Sequence, residues 1–304
     1  MTPGYEALRH GAASIDLSAR GRIVVRGRDR ARLLHNVTSN EVKKLAPGEG
    51  CYAFLLTPQG RIQADAHLFC FPDYFVIDTE PELREKAQQL ILKYKVADQV
   101  ELEDVTASSG AVGLEGPGSA AVLAGMGAPV PGEPYTHLVW GERWVANLSV
   151  TGQPGFRIYY WTGQQPDLLA AGATAADEAD VRRVRIENGR PRYGEDIRET
   201  TLPQETQQMH AVNFQKGCYI GQEIVERIRA QGHVNKKLVR LAIEAPSLLD
   251  PGTKVTQDGK DAGEITSSVY SPEAGNVAAL AYVRTPYAVP ETTVQVGEFS
   301  ARVL

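Results

Sequence analysis

The stretch Lys216-Gly217-Cys218-Tyr219-Ile220-Gly221-Gln222-Glu223 sets a single cysteine between two glycines, just ahead of an apolar periodicity. Ile220, Ile224, Val225 and Ile228 recur at helical spacing, which predicts a tight turn that carries Cys218 into a helix. A helix start presents unpaired N–H groups and partial positive charge, and these, with Lys216, favour a thiolate over a thiol. Cys218 is therefore the candidate reactive sulfur; the plainer alternative is a small buried hydrophobe. Gly217 and Gly221 permit positive φ and close approach of a flat or anionic ligand to the backbone. Cys51 and Cys70, set among apolar strand residues, read as core packing.

Working outward, positive charge gathers on both sides of this turn. Lys216, Arg227, Arg229, His233, Lys236, Lys237 and Arg240 form one cluster, and Arg182, Arg183, Arg185, Arg190 and Arg192 an earlier one. They predict a local basic groove, against the alternative of a solvated face balanced by Glu187, Glu223 and Glu226. The six histidines are scattered and no C-x-x-C occurs, which argues against a permanent zinc site. A Cys–His pair through His210 or His233 stays open, with a surface histidine as the simpler reading of each. Gly113-Leu114-Glu115-Gly116-Pro117-Gly118 has proline where a phosphate loop needs a free N–H.

The whole chain bounds these local readings. Its 304 residues predict two or three compact units, and 42% hydrophobic with 23% charged residues supply an ordinary globular core. A net charge of −5 argues against a surface built for nucleic acid. Three widely spaced cysteines fit a reducing compartment, and Met1-Thr2-Pro3-Gly4-Tyr5-Glu6 has no leader-like apolar run, so a cytoplasmic protein without a membrane span is expected.

Strands are predicted at 22–27, 51–57, 62–71, 74–79 and 111–114, with helices from Asp29 and over about 81–94. A second hairpin is expected over 144–161, an alanine-rich helix over 167–176, and another helix from Asp177 to Asn188. From Lys237 onward short strands alternate with turns, as in a small sandwich or barrel. The class is α+β with antiparallel sheets, not a doubly wound parallel sheet. The expected organisation is 1–236 as two α+β subdomains that can interleave, the second at roughly 50–140, and 237–304 as a C-terminal β-barrel.

The octapeptide around Cys218 resembles the signature of the YgfZ-type folate-binding proteins, relatives of the glycine-cleavage T-protein (aminomethyltransferase). Ile15-Asp16-Leu17-Ser18, Arg185-Ile186-Glu187-Asn188-Gly189-Arg190-Pro191 and Leu280-Ala281-Tyr282-Val283-Arg284 agree in order, so the resemblance spans nearly the whole chain. It implies a ring of two α+β domains and a barrel with tetrahydrofolate, or a one-carbon derivative, in the central hole. It also implies a role supporting iron–sulfur cluster assembly or repair, including enzymes of tRNA modification, with iron–sulfur proteins or their assembly machinery as partners and no stable nucleic acid. Classical turnover is not expected; a folate-dependent aminomethyl- or methyltransferase is the alternative. The resemblance points to Cys218 and Asp65 for chemistry. For the ligand it points to Lys216, Gly217, Tyr219, Gly221, Gln222, Glu223 and Gln153; with the helix after Cys218 taken to line the hole, Arg227, Arg229 and Lys236 are the candidates for the folate tail. Two departures stand out: Ala64-Asp65 where family enzymes carry an acidic pair, and Gln153-Pro154 ahead of Gly155 where they carry another.

Overall fold

A computed structural model describes residues 1–304. Two antiparallel-rich sheets and a closed barrel account for the strands. The five-stranded sheet runs, in spatial order, Gly50–Leu56, Ile62–Cys70, Tyr74–Thr79, Gly21–Arg26 and Glu101–Asp104. Side chains alternate between its faces. Ile23, Val25, Leu68, Phe75 and Ile77 meet Leu33 and Leu34 of helix Arg30–Val37 and Ala87 and Ile91 of helix Arg84–Lys93. Val24, Phe69 and Val76, one residue out of phase, meet Ala111, Ala146, Leu148 and Tyr159 of the other sheet. Each such aliphatic side chain, fully buried, contributes roughly 1.5–3 kcal/mol.

The six-stranded sheet is built from residues far apart in sequence: Thr174–Ala176, Ala13–Asp16, Ser109–Glu115, Gly155–Trp161, Arg143–Asn147 and His137–Trp140. The two N-terminal units are thus interleaved. The five-stranded sheet occupies 21–104, earlier than the 50–140 expected for a second subdomain, because Gly21–Arg26 pairs between Tyr74–Thr79 and Glu101–Asp104. The alanine-rich stretch is not a helix. Gly172 takes φ +98° and breaks it, and Thr174–Ala176 instead pairs parallel with Ala13–Asp16.

The C-terminal barrel closes through Lys236–Ile243, Asn276–Arg284, Lys260–Ser271, Lys254–Gln257, Thr293–Val296 and Phe299–Val303, around a core that includes Leu241, Ile265, Val283 and Val303. The barrel joins the N-terminal part through helix Glu178–Glu187 and the loop that follows it: Arg182 Nη1 of the helix donates to the Ser268 carbonyl at 2.9 Å, and Asp196 of the loop accepts from Thr266 and Ser267 hydroxyls at 2.6 and 2.7 Å. No helix is long and apolar enough to cross a membrane.

Candidate functional site

Where the two sheets and helix Glu178–Glu187 converge lies a cavity of about 940 Å³. Strand Ile62–Cys70 sends Asp65 and His67 to one face, two residues apart, and Tyr52 stands opposite His67 in the neighbouring strand. The Tyr52 hydroxyl donates to Asp65 Oδ2 at 2.6 Å. Tyr52, His67, Tyr135 and His210 form an aromatic wall: centroids are 4.9 Å apart for Tyr52–His67, 5.5 Å for Tyr52–His210 and 5.9 Å for His67–Tyr135. Burial, reinforced by Glu80, pushes the Asp65 carboxyl up to about 6 although Tyr52 pulls it down. Burial holds His67 and His210 below the usual imidazole range, so both are neutral near pH 7.

The charges in and behind the cavity wall are balanced. Asp78, fully buried, accepts from Arg20 Nε at 2.7 Å, Arg157 Nη1 at 2.8 Å and the Tyr159 hydroxyl at 2.8 Å. Arg192 Nε reaches Glu80 Oε2 at 2.9 Å, and Arg185 bonds Asp196 at 2.7 Å and Glu195 at 2.5 Å. Arg190 also lines the cavity, is exposed, and has no carboxylate partner. The earlier arginine cluster therefore supplies the basic lining.

Of the chemistry and ligand residues expected from the resemblance, only Asp65 and Gln153 line this cavity. Cys218 is exposed and lies outside it, four residues ahead of the first residue of helix Gln222–Gln231. The helix is capped at Gly221, so its free N–H groups are not those of Cys218. Lys216 is turned inward: its ammonium donates to the carbonyls of His35, Thr38 at 2.6 Å and Asn40 at 2.9 Å. Burial lowers it to about 8, against the raising effect of Glu41 and Cys51. Lys216 is a tie beneath the turn, correcting its expected place beside a thiolate.

The remaining members of the motif pack instead of lining the cavity. Gly221 (φ +83°) abuts the Pro58-Gln59-Gly60 turn, where a Cβ would stand 2.6 Å from the Thr57 carbonyl. Its role is close packing, in place of the ligand approach expected. Tyr219 is buried under the Lys216 ammonium, 4.7 Å from ring centre to Nζ. Gly217 and Glu223 are exposed and Gln222 half-buried. Arg227 and Arg229 project to solvent, Arg229 over the Phe214 ring at 4.5 Å, and Lys236 rests on Tyr282 at 4.8 Å. The helix after Cys218 does not form a cavity wall, which corrects the expected placement of Arg227, Arg229 and Lys236 at a ligand tail.

Sequence reading missed Tyr52, His67, Tyr135 and Arg157, although the Asp65/His67 alternation within one strand was a signal for two of one face. It also missed His35. Its Nδ1 lies 3.0 Å from Glu41 Oε1, and its Nε2 would stand 3.8 Å from a Cβ on Gly217. That imidazole, not His210 or His233, approaches the Cys218 turn; His210 belongs to the aromatic wall and His233 is exposed. Cys51 and Cys70 are buried, and burial pushes the Cys51 thiol up to about 12, as suits core positions.

The comparisons agree with this architecture. The chain is 28% identical to a chloroplastic protein of Arabidopsis thaliana named as a transferase, over 96% of this chain and 70% of that protein. It is 29% identical to an aminomethyltransferase of Rubrobacter xylanophilus, over 92% and 78% of the two chains. The glycine cleavage system aminomethyltransferase T of Bartonella henselae superposes with a TM-score of 0.90 at 21% identity, covering 99% of this chain and 87% of that one, which shows a common fold. The model of the GCVT N-terminal domain matches residues 2–216 and that of the glycine cleavage T-protein C-terminal barrel domain matches 236–303, so the chain belongs to the glycine-cleavage T-protein family.

Proposed function

We propose that the chain binds a reduced folate, tetrahydrofolate or a one-carbon derivative, in the cavity between its N-terminal sheets, and acts as a YgfZ-type accessory factor for iron–sulfur proteins. The observation that carries the ligand is one 940 Å³ cavity with a buried acid, an aromatic wall and an unpaired guanidinium together. Asp65 and the ring wall suit a pteridine with N–H donors, and Arg190 suits the carboxylates of a glutamate tail. Cys218 supports the accessory role by position: it is exposed away from the cavity, so a macromolecular partner can meet the sulfur while the folate stays bound. Enzymes of tRNA modification that carry iron–sulfur clusters are the clients this reading implies.

The test is a calorimetric titration with tetrahydrofolate under reductant, run on the native chain, Cys218→Ser and Asp65→Asn. Binding by the native chain and Cys218→Ser is expected, with weakening in Asp65→Asn; loss of cellular rescue of iron–sulfur enzymes by Cys218→Ser alone completes the picture. Failure of the native chain to bind any reduced folate overturns the ligand, and full rescue by Cys218→Ser overturns the role of the sulfur.

One observation favours a second reading, a folate-dependent aminomethyl- or methyltransferase. A carboxyl at about 6 in a ligand cavity is placed to exchange a proton near neutral pH. Tetrahydrofolate-dependent turnover of an aminomethylated carrier protein would select this reading, and its absence at saturating folate would discard it.

A further inference from the structure

Arg157 is 1% exposed yet lines the cavity, and only one of its three guanidinium nitrogens is engaged, Nη1 on Asp78 Oδ1 at 2.8 Å. Nε and Nη2 have no partner in the protein, and neither does Nδ1 of His67, a second cavity residue. Buried N–H groups are nearly always paired in a native protein, so two on one side chain mark the place of a missing partner. Nε–H and Nη2–H leave the planar guanidinium along one edge as parallel donors. That fork matches two acceptor atoms side by side: a carboxylate, or a carbonyl oxygen beside a ring nitrogen.

The surroundings fix the fork. Asp78 holds the opposite side of the guanidinium and is itself held by Arg20 and Tyr159. His67 is the cross-strand partner of Asp78, and the charge of Arg157 reaches both His67 and Tyr135, which line the same cavity as Arg157. No carboxylate other than Asp78 bonds Arg157.

We propose that Arg157 reads a planar pair of acceptor atoms on the cavity's ligand through Nε–H and Nη2–H. Resting on the folate reading above, that pair is the pteridine 4-oxo oxygen and the lone pair of the neighbouring N5, whose own N–H is then turned out of the ring plane. The alternative source, a glutamate-tail carboxylate, shares the chemistry, but the depth of Arg157 beside the ring wall favours the ring, and exposed Arg190 is left for the tail. A donor on the N5 lone pair has a further consequence: it opposes use of that pair as a nucleophile, so the contact that binds the ring also restrains one-carbon chemistry at N5.

The test compares anaerobic calorimetric affinities of the native chain for tetrahydrofolate, for a tail-free tetrahydropterin, and for the 4-amino analogue of each, which replaces the oxygen acceptor by a donor. The 4-oxo ligands are expected to bind about ten- to a hundredfold more tightly than the 4-amino ones, with or without the tail. Arg157→Gln should erase that preference and Arg157→Lys keep part of it. Equal affinity of the native chain for 4-oxo and 4-amino ligands overturns the assignment while leaving folate binding intact. A preference seen only with the tailed ligands also overturns it, moving the fork to a carboxylate. No binding of any of the four removes the folate reading itself, together with the ring edge assigned to Arg157.

Discussion

Asp78 Oδ1 accepts from Arg157 Nη1 at 2.8 Å, and this bond joins the five-stranded sheet to the six-stranded one. Asp78 also takes Arg20 Nε and the Tyr159 hydroxyl, with no solvent exposure. Burial alone would raise its carboxyl, but Arg157 and Arg20 hold it well below the usual carboxylate range. Replacing it with alanine leaves two guanidiniums buried with diminished compensation, and breaking a buried pair in this way costs about 3–5 kcal/mol. Asp78→Ala is expected to lower the urea midpoint accordingly, and a midpoint within experimental error of the native chain would show that the pair does not hold the sheets together.

Asp65 behaves in the opposite sense. Its carboxyl is raised to about 6 in the folded chain, against an ordinary value near 3.8. The folded state therefore holds the proton more tightly, so the contribution of this group to stability is fully present below about 3.8 and is lost as pH rises through about 6. Asp65→Asn, which keeps the shape but cannot ionise, should gain up to about 3 kcal/mol relative to the native chain at pH 8 and little or nothing at pH 3.5. Denaturant melts at the two pH values check this; a gain of the same size at both would mean that ionisation of Asp65 is not its source.

The sequence carried the class of fold well because its signals were local. The aromatic and β-branched run at 74–79, the hairpin around Pro58-Gln59-Gly60 and the turn-punctuated strands after Lys237 each fix an element without knowledge of its neighbours. The interleaving was not local. Ala13–Asp16 pairs with strands about 100 and 160 residues on, and nothing in its four residues names those partners. The site was legible where the family resemblance marked a position, as with Asp65, and opaque where packing decides. Lys216 looked like a charge for Cys218 because they are neighbours in the chain, but three inward carbonyls claim the ammonium. Arg157 was invisible as a site residue because it sits in a strand that otherwise reads as core.

The Lys216 tie predicts a specific loss. Lys216→Met keeps the stem but removes the donor from the carbonyls of His35, Thr38 and Asn40, leaving buried acceptors unpaired at about 1–3 kcal/mol in all. Hydrogen exchange should speed up over 213–221 and 35–40 more than in the barrel. Uniform exchange across the chain would assign Lys216 to global stability instead of this turn.

Two arginine clusters make opposite predictions for binding. Arg190→Ala removes an unpaired cavity guanidinium and should weaken tetrahydrofolate about two- to fivefold, with a loss that shrinks as salt is added. Arg227→Ala and Arg229→Ala alter a solvated helix face outside the cavity and should leave the affinity unchanged. Titrations of the three variants decide the matter, and weakening by the helix substitutions alone would return the ligand to the face expected from the sequence.

Thiol accessibility gives the most direct check on Cys218. Cys51 and Cys70 are buried, Cys51 with its thiol pushed up to about 12 by burial, and Cys70 with its sulfur directed to the Leu45 carbonyl at 3.4 Å. Attack on a disulfide reagent needs an accessible thiolate, which neither core position offers. The native chain should therefore release one equivalent of chromophore rapidly from an aromatic disulfide reagent at pH 8, and the other two cysteines should react only in denaturant. Cys218→Ser should abolish the rapid equivalent without changing the melting midpoint. A rapid equivalent that survives this substitution would place the exposed sulfur elsewhere and detach Cys218 from any partner chemistry.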